Sequence, residues 1–246
     1  MNKIVIFGAT SGIAREMVRL FAARGDALFL VARDESRLKT LIDDAKAIGG
    51  TRIGGCARDL DYIEKHDEVL KLADEFLDNF DKVIVAHGVL GDQKKAEFDV
   101  REVERIFLTN ARSAISILTL ATNELLERGQ GQIAYFSSPA ALRGRASNYV
   151  YGASKAAVST FLSGLRQRLH KSGVHVVTIY PGFVDTPMTR DFKKGFLWAK
   201  PEAVAKHVIH ELDQQRSSVI FVPWFWRWIM LCIRLLPESL FLKLKI

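Results

Sequence analysis

Two cysteines, Cys56 and Cys232, stand far apart in a chain of 246 residues and show no metal-ligand spacing. Neither a disulfide framework nor a zinc site is indicated, and a reducing compartment fits. Proline is scarce, six residues in all, and no Pro/Gly/Ser-rich linker, low-complexity tract or internal repeat divides the chain. No run of about 18 uncharged apolar residues occurs, so no segment qualifies easily as a membrane span. The opening MNKIVIFGAT enters a strand-like run at once and does not read as a signal peptide, which suits a cytoplasmic protein. Charge of one sign is not concentrated either. The 35 Lys and Arg exceed the 28 Asp and Glu by seven, but basic and acidic residues are mixed along the chain. This argues against a nucleic-acid arm and leaves two readings, an ordinary basic surface or attraction to anionic lipid or substrate.

What the chain does have is 48% hydrophobic content and a regular alternation of short apolar runs with longer helical patterns. Strands are expected at KIVIF, ALFLVA, RIGGCA, KVIVAH, GQIAYFSS, VHVVTIYP and SVIFVP. Helices are expected near Ile13–Arg24, Glu35–Ile48, Ile63–Phe80, Val100–Arg128, Tyr149–Ser172 and Pro201–Gln215. Several strands are apolar on both faces, as a parallel sheet covered on each side requires. The expected class is α/β: one doubly wound domain over residues 1–222 with a seven-stranded parallel sheet, then an apolar helical tail over residues 223–246.

FGATSGIAR joins the first strand to the first helix, with Gly8 at the turn and Gly12 at the helix entrance. Glycine lets backbone approach a pyrophosphate, and the helix N-terminus offers it unpaired N–H groups. Arg33 follows the second strand, where an acid would hold the ribose hydroxyls of NAD and an arginine pairs with the extra phosphate of NADP. NADPH is therefore preferred, with NADH as the lesser option; the alternative is that Arg33 only pairs with Asp34 or Glu35. Asp59 stands where it can accept from an adenine amino group or cap a helix. Tyr151 and Lys155, four apart, share a helix face, and Lys155 can stabilise the phenolate that makes Tyr151 a proton donor. Ser138, at a strand end thirteen residues earlier, can bond the same substrate oxygen.

In GATSGIA, Asp59-Leu60, VAHG, LTNARSA, FSS, YGASK and PGFVDTPM, taken in this order, the chain resembles the short-chain dehydrogenase/reductase family over essentially its whole length. The resemblance implies a Rossmann fold and makes Ser138, Tyr151 and Lys155 catalytic, with Asn110 holding a water in the proton relay. It assigns cofactor contacts to Gly8, Thr10, Ser11, Gly12, Ile13, Arg33, Asp59, Leu60, Gly88, Tyr151, Lys155, Pro181, Gly182, Val184 and Thr186. Two positions depart from the pattern: Ala14 replaces the usual third glycine, and His87 replaces the usual asparagine. His87 is either a pocket residue or a satisfied strand-end histidine. The implied reaction is the interconversion of a ketone and a secondary alcohol, and the family commonly forms homodimers or homotetramers.

VIVAHGVLGDQ, ALRGRASN and the Trp/Arg/Leu-rich tail further resemble one branch, the reductases of decaprenylphosphoryl-2-keto-ribose, whose substrate is a lipid-linked keto sugar made by a partner flavin-dependent oxidase. Arg143 and Arg145 could grip a phosphodiester or form an exposed loop pair, and Lys193 and Lys194 lie in the lid segment. The rival expectations are a reductase of free lipophilic ketones, a non-catalytic NADPH sensor and an oligomerising scaffold. Drawn as a helix from Trp224 to Leu236, the tail aligns Arg227 with Arg234 and is otherwise apolar, with Pro237 ending it and Lys243 and Lys245 following. Such a helix lies peripherally on the inner membrane face, or it packs on its own domain and covers the cleft.

Overall fold

The computed structural model describes residues 1–244; Lys245 lies outside the described residues. Seven strands form one parallel sheet: β1 (Lys3–Phe7), β2 (Ala27–Ala32), β3 (Ile53–Ala57), β4 (Lys82–Val85), β5 (Gly131–Phe136), β6 (Val174–Pro181) and β7 (Val219–Val222), in the order β3-β2-β1-β4-β5-β6-β7. The helices are α1 (Gly12–Ala23), α2 (Glu35–Ala47), α3 (His66–Leu77), α4 (Gln93–Ala96), α5 (Val100–Phe107), α6 (Ser113–Glu127), α7 (Tyr149–Arg168), α8 (Pro201–Gln214), α9 (Trp226–Leu235) and α10 (Glu238–Phe241). This is the expected doubly wound sheet with helices on both faces.

Strand residues alternate between two cores. Ile4, Ile6, Leu28, Leu30 and Ile179 face α1, α2 and α8, while Val5, Phe7, Phe29, Val31 and Tyr135 face α3, α6 and α7. Each fully buried Leu, Ile, Val or Phe contributes about 1.5–3 kcal/mol, so the double covering explains why the strands read as continuous apolar runs. The strand order reverses direction between β1 and β4, and the carboxyl ends of the strands open a crevice there. At the opposite rim the chain turns back into the sheet through left-handed residues, Asp78 and Asn79 before β4 and Gln215 before β7.

The expected continuous helix Val100–Arg128 is interrupted. Residues Leu108–Arg112 form a π turn between α5 and α6, with Asn110 completely buried at its centre. Hydrophobic periodicity could not show this, because one inserted residue leaves the apolar stripe nearly in place. The short helix α4 was also not anticipated; it is four residues, started by Asp92 accepting from the Lys95 N–H.

The tail is helical from Trp226 to Leu235, stops before Pro237 and resumes as α10. Trp226 and Met230 are buried against the domain, whereas Trp224, Trp228, Leu231 and Leu235 are exposed. Arg143 fastens this segment. Its guanidinium donates to the carbonyls of Ile233 (2.6 Å) and Leu236 (2.7 Å), pairs with Glu238 (2.7 Å) and stacks over the Phe241 ring at 3.9 Å. For Arg143 the expectation was a phosphate grip with Arg145 or a loop pair bonded to nearby acids; its donors go to Glu238 and to carbonyls at the end of α9, where a cation also suits the helix dipole. No described helix is long and apolar enough to cross a membrane.

Replacing Arg143 by Ala should therefore loosen the tail without unfolding the sheet. Amide exchange in α9 should accelerate roughly 10- to 100-fold, the scale of lost charge-assisted bonds. Unchanged exchange would show that Trp226 and Met230 hold the helix alone.

Candidate active site

The crevice at the strand ends has two lobes. The first, of about 200 Å³, is lined by Gly8, Thr10, Ser11, Arg33, Asp59, Leu60 and Gly88, seven of the expected cofactor residues. Gly8 has φ of 77°, and a Cβ there would come within 2.6 Å of the His87 backbone, so this turn needs glycine for conformation and for room. Arg33 extends from the end of β2 and finds no acid within 4 Å among the described residues, because Asp34 caps α2 and faces Arg37. Asp59 caps no helix; its Oδ1 closes a turn by accepting from the Asp61 N–H at 3.1 Å, and the residue lines the first lobe.

The second lobe, of about 150 Å³, is lined by Ile13, Ser138, Tyr151, Pro181, Gly182, Val184 and Thr186, all expected, and by Arg145. Ser138 ends the extended segment after β5 and caps the short turn Pro139–Leu142. Tyr151 lies in the first turn of α7, and Lys155 follows one turn later. Gly12 stands between the lobes, close to Thr186. Lys155 links them too: its Nζ donates to the Phe136 carbonyl at 2.9 Å, beside the second lobe, and points toward Gly88 in the first.

Asn110 is held on all sides. Its Oδ1 accepts from the Val89 N–H (2.8 Å), and its Nδ2 donates to the Val89 carbonyl (2.8 Å) and to Ser154 Oγ (3.0 Å). The side chain is therefore committed to shaping the Gly88–Val89 loop. Within the π turn, the Asn110 main-chain carbonyl accepts from Tyr135 Oη at 3.3 Å.

Burial sets the electrostatics. It brings Lys155 down from its usual 10.5 to about 7, since few charges compensate an ammonium that is only 4% exposed. Burial also pushes the Tyr151 hydroxyl up, with the Ser138 hydroxyl opposing. His87 falls from 6.5 to about 3, again by burial, and so stays neutral; it both lines the first lobe and bonds Ser113 Oγ at 3.0 Å.

Residues 2–195 match the family model described as short chain dehydrogenase. The chain belongs to that family. It is 33% identical over 235 residues to an uncharacterized oxidoreductase of Mycobacterium tuberculosis, an alignment covering 96% of this chain and 94% of that protein. An uncharacterized oxidoreductase of Streptomyces coelicolor is 30% identical over 250 residues, covering 100% and 96%. Among solved structures, an actinorhodin polyketide ketoreductase variant with NADPH superposes with a TM-score of 0.81 at 22% identity, covering 90% of this chain and 95% of that one. The 3-ketoacyl-(acyl-carrier-protein) reductase of Brucella melitensis, with NADH, gives 0.82 at 20% identity, covering 90% and 96%. The protein is an NAD(P)-dependent oxidoreductase of this family, with the fold that the sequence implied.

Several lining residues escaped the sequence reading. Arg58, Asp61 and Thr109 join the first lobe, with Thr109 Oγ1 donating to Asp61 at 2.9 Å; Leu90, Asn148, Phe192 and Trp226 join the second. Only Trp226, in a conspicuous aromatic tail, carried a signal, and the sequence could not say which tryptophan turns inward. Lys193 and Lys194 are exposed and line neither lobe; Lys194 pairs with Asp185 at 2.7 Å.

A buried lysine near 7 keeps its charge at acid pH and loses it as pH rises through neutrality. In the cofactor-free chain, ¹³C-lysine NMR, with Lys155→Met to identify the signal, should give a midpoint of about 7. A midpoint near 10 would mean that water reaches the amine.

Proposed function

We propose that the chain reduces a ketone to a secondary alcohol with NADPH, and that the ketone is the 2-keto group of a polyprenyl-phosphate-linked pentofuranose. The carrying observation is a cleft with Ser138 and Tyr151 at its polar floor, Lys155 behind them, and walls formed by Leu90, Phe183, Met188, Phe192 and the tail residue Trp226. A floor that handles a carbonyl beneath apolar walls suits a polar head on an apolar chain. Arg33, with no acid within 4 Å among the described residues, supports the preference for a 2′-phosphate.

When bound, the nicotinamide supplies the hydride. Tyr151 donates its proton to the carbonyl oxygen as negative charge builds there, and Ser138 donates a hydrogen bond to the same oxygen. Lys155, while protonated, offsets the charge left on the Tyr151 phenolate and orients the ribose hydroxyls. Asn110 keeps the Gly88–Val89 loop at the first lobe in place. The fit of the dinucleotide rests on the tight Gly8 turn, the open N-terminus of α1 and the cation at the end of β2.

A second reading, reduction of a free lipophilic ketone such as an acyl, steroid or sphingoid compound, draws support from the mostly apolar cleft and from Arg143 being engaged elsewhere. Initial rates with a lipid-phosphate keto-pentose and with neutral lipophilic ketones separate the two. The first substrate should be reduced with at least tenfold higher kcat/KM, and Tyr151→Phe should abolish turnover while NADPH still binds. Preference for neutral ketones would transfer the assignment to the second reading. In the same assay, Arg33→Ala should raise KM for NADPH roughly 10- to 100-fold and leave NADH nearly unchanged.

The tail supports a peripheral membrane location. Exposed Trp228, Leu231 and Leu235 share the outer surface of α9 with Arg227 and Arg234, exposed Trp224 precedes the helix, and exposed Phe192 and Phe196 lie in the neighbouring lid. The full chain should pellet with anionic liposomes at low salt, and a version ending at Pro223 should not. A soluble full chain under those conditions would remove the bilayer and leave a protein partner or a second copy as the cover for this face.

A further inference from the structure

Three residues lining the second lobe each carry a buried polar atom with no hydrogen-bond partner among the described residues. Arg145 Nε, Trp226 Nε1 and Asn148 Oδ1 are all buried without a hydrogen bond, and all three residues line the cleft that holds Ser138 and Tyr151. The rest of the Arg145 guanidinium fares little better: Nη2 reaches only the Met230 thioether at 3.7 Å, a weak acceptor. No carboxylate lies within 4 Å of it among the described residues, and burial alone lowers its affinity for its proton. The neighbouring Arg143 has four oxygen acceptors and an aromatic face. Two arginines two residues apart have thus been treated oppositely, one saturated and one left bare.

A buried donor left without an acceptor is unfavourable, and a part-buried guanidinium without a counter-ion is more so. The elements responsible are well fixed. Trp226 is clamped between Gly182, where a Cβ would overlap the indole, and the Phe183 ring, 5.2 Å away edge-on. Asn148 starts α7 without capping it through its side chain. These groups are held in position without being used by the fold.

We infer that Arg145 and Trp226 form an oxyanion subsite for a phosphate carried by the substrate, with Asn148 Oδ1 accepting from a neighbouring hydroxyl. The guanidinium and the indole N–H are donors only, which matches an acceptor-only phosphate. Asn148 supplies the complementary acceptor that a sugar hydroxyl needs. The surrounding Leu90, Met188 and Phe192 accommodate an apolar chain beyond the phosphate. This inference rests on the ketoreductase reading for the identity of the second lobe, and it names the chemistry of the substrate's second anchor.

The test measures binding of farnesyl phosphate, farnesol and inorganic phosphate to the full chain with NADPH present, by calorimetry at pH 7. Farnesyl phosphate should bind roughly 10- to 100-fold more tightly than farnesol, the range expected for charge-assisted bonds. Arg145→Met should erase that difference, Arg145→Lys should restore part of it, and Trp226→Phe should reduce it. Retained NADPH binding and thermal melting show whether each variant is folded; the wild-type comparison of phosphate with alcohol needs no variant. Equal binding of farnesyl phosphate and farnesol by the wild type would overturn the subsite, as would an undiminished preference in folded Arg145→Met. Inorganic phosphate binding as tightly as farnesyl phosphate would also overturn it, since the phosphate is argued to arrive on an apolar chain. The two claims fail separately: turnover of neutral ketones with no phosphate preference sinks the subsite alone, and phosphate preference without turnover of any ketone sinks the reaction alone.

Discussion

An ammonium group shut away from water at the end of a parallel sheet is the constraint on which the site depends. Lys155 is 4% exposed, and removing its charge from water costs several kcal/mol. Two contacts offset that cost: the Phe136 carbonyl at 2.9 Å and the face of the Tyr135 ring, whose centroid lies 4.7 Å away. Both belong to the last residues of β5, so the strand must end there. The Tyr135 ring is in turn anchored through its hydroxyl to the carbonyl of Asn110, inside the π turn. A distortion some forty residues away in sequence thus belongs to the environment of one amine.

The sheet and its helices were legible because a double-covered parallel sheet writes itself as apolar runs, and because glycines mark the turn at Gly8. The grouping of Ser138, Tyr151 and Lys155 was legible for a different reason: a strand end and an i, i+4 helix pair fix relative positions through local geometry alone. The π turn was not legible, since periodicity averages over several turns and a single extra residue barely shifts it. Asp61, Thr109 and Asn148 were missed because nothing local distinguishes them from any other polar residue near a turn. Their place in the lobes depends on long-range packing.

The tail shows the same limit at larger scale. Its composition announced an apolar helix interrupted at Pro237, but apolar residues lie on nearly every side of it, so no stripe identified the buried face. The structure resolves the choice through contacts: Trp226 fits where Gly182 leaves space, Met230 follows one turn later, and the end of the helix meets Arg143. Arg143 and Arg145 look equivalent as sequence. What separates them is the distribution of acceptors around each, which is a property of the fold.

Because all seven strands run in one direction, the molecule has two unlike rims. The carboxyl rim carries both lobes, and nearly every loop there has side chains committed to a cavity. The opposite rim carries chain reversals such as Asp78–Asn79 and Gln215, tied together by ion pairs such as Arg128–Asp74 and Lys82–Asp213. Change is therefore unevenly affordable around the protein. Tags or surface tethers attached at exposed turns of the reversing rim, such as Asp78–Asn79, leave the crevice untouched.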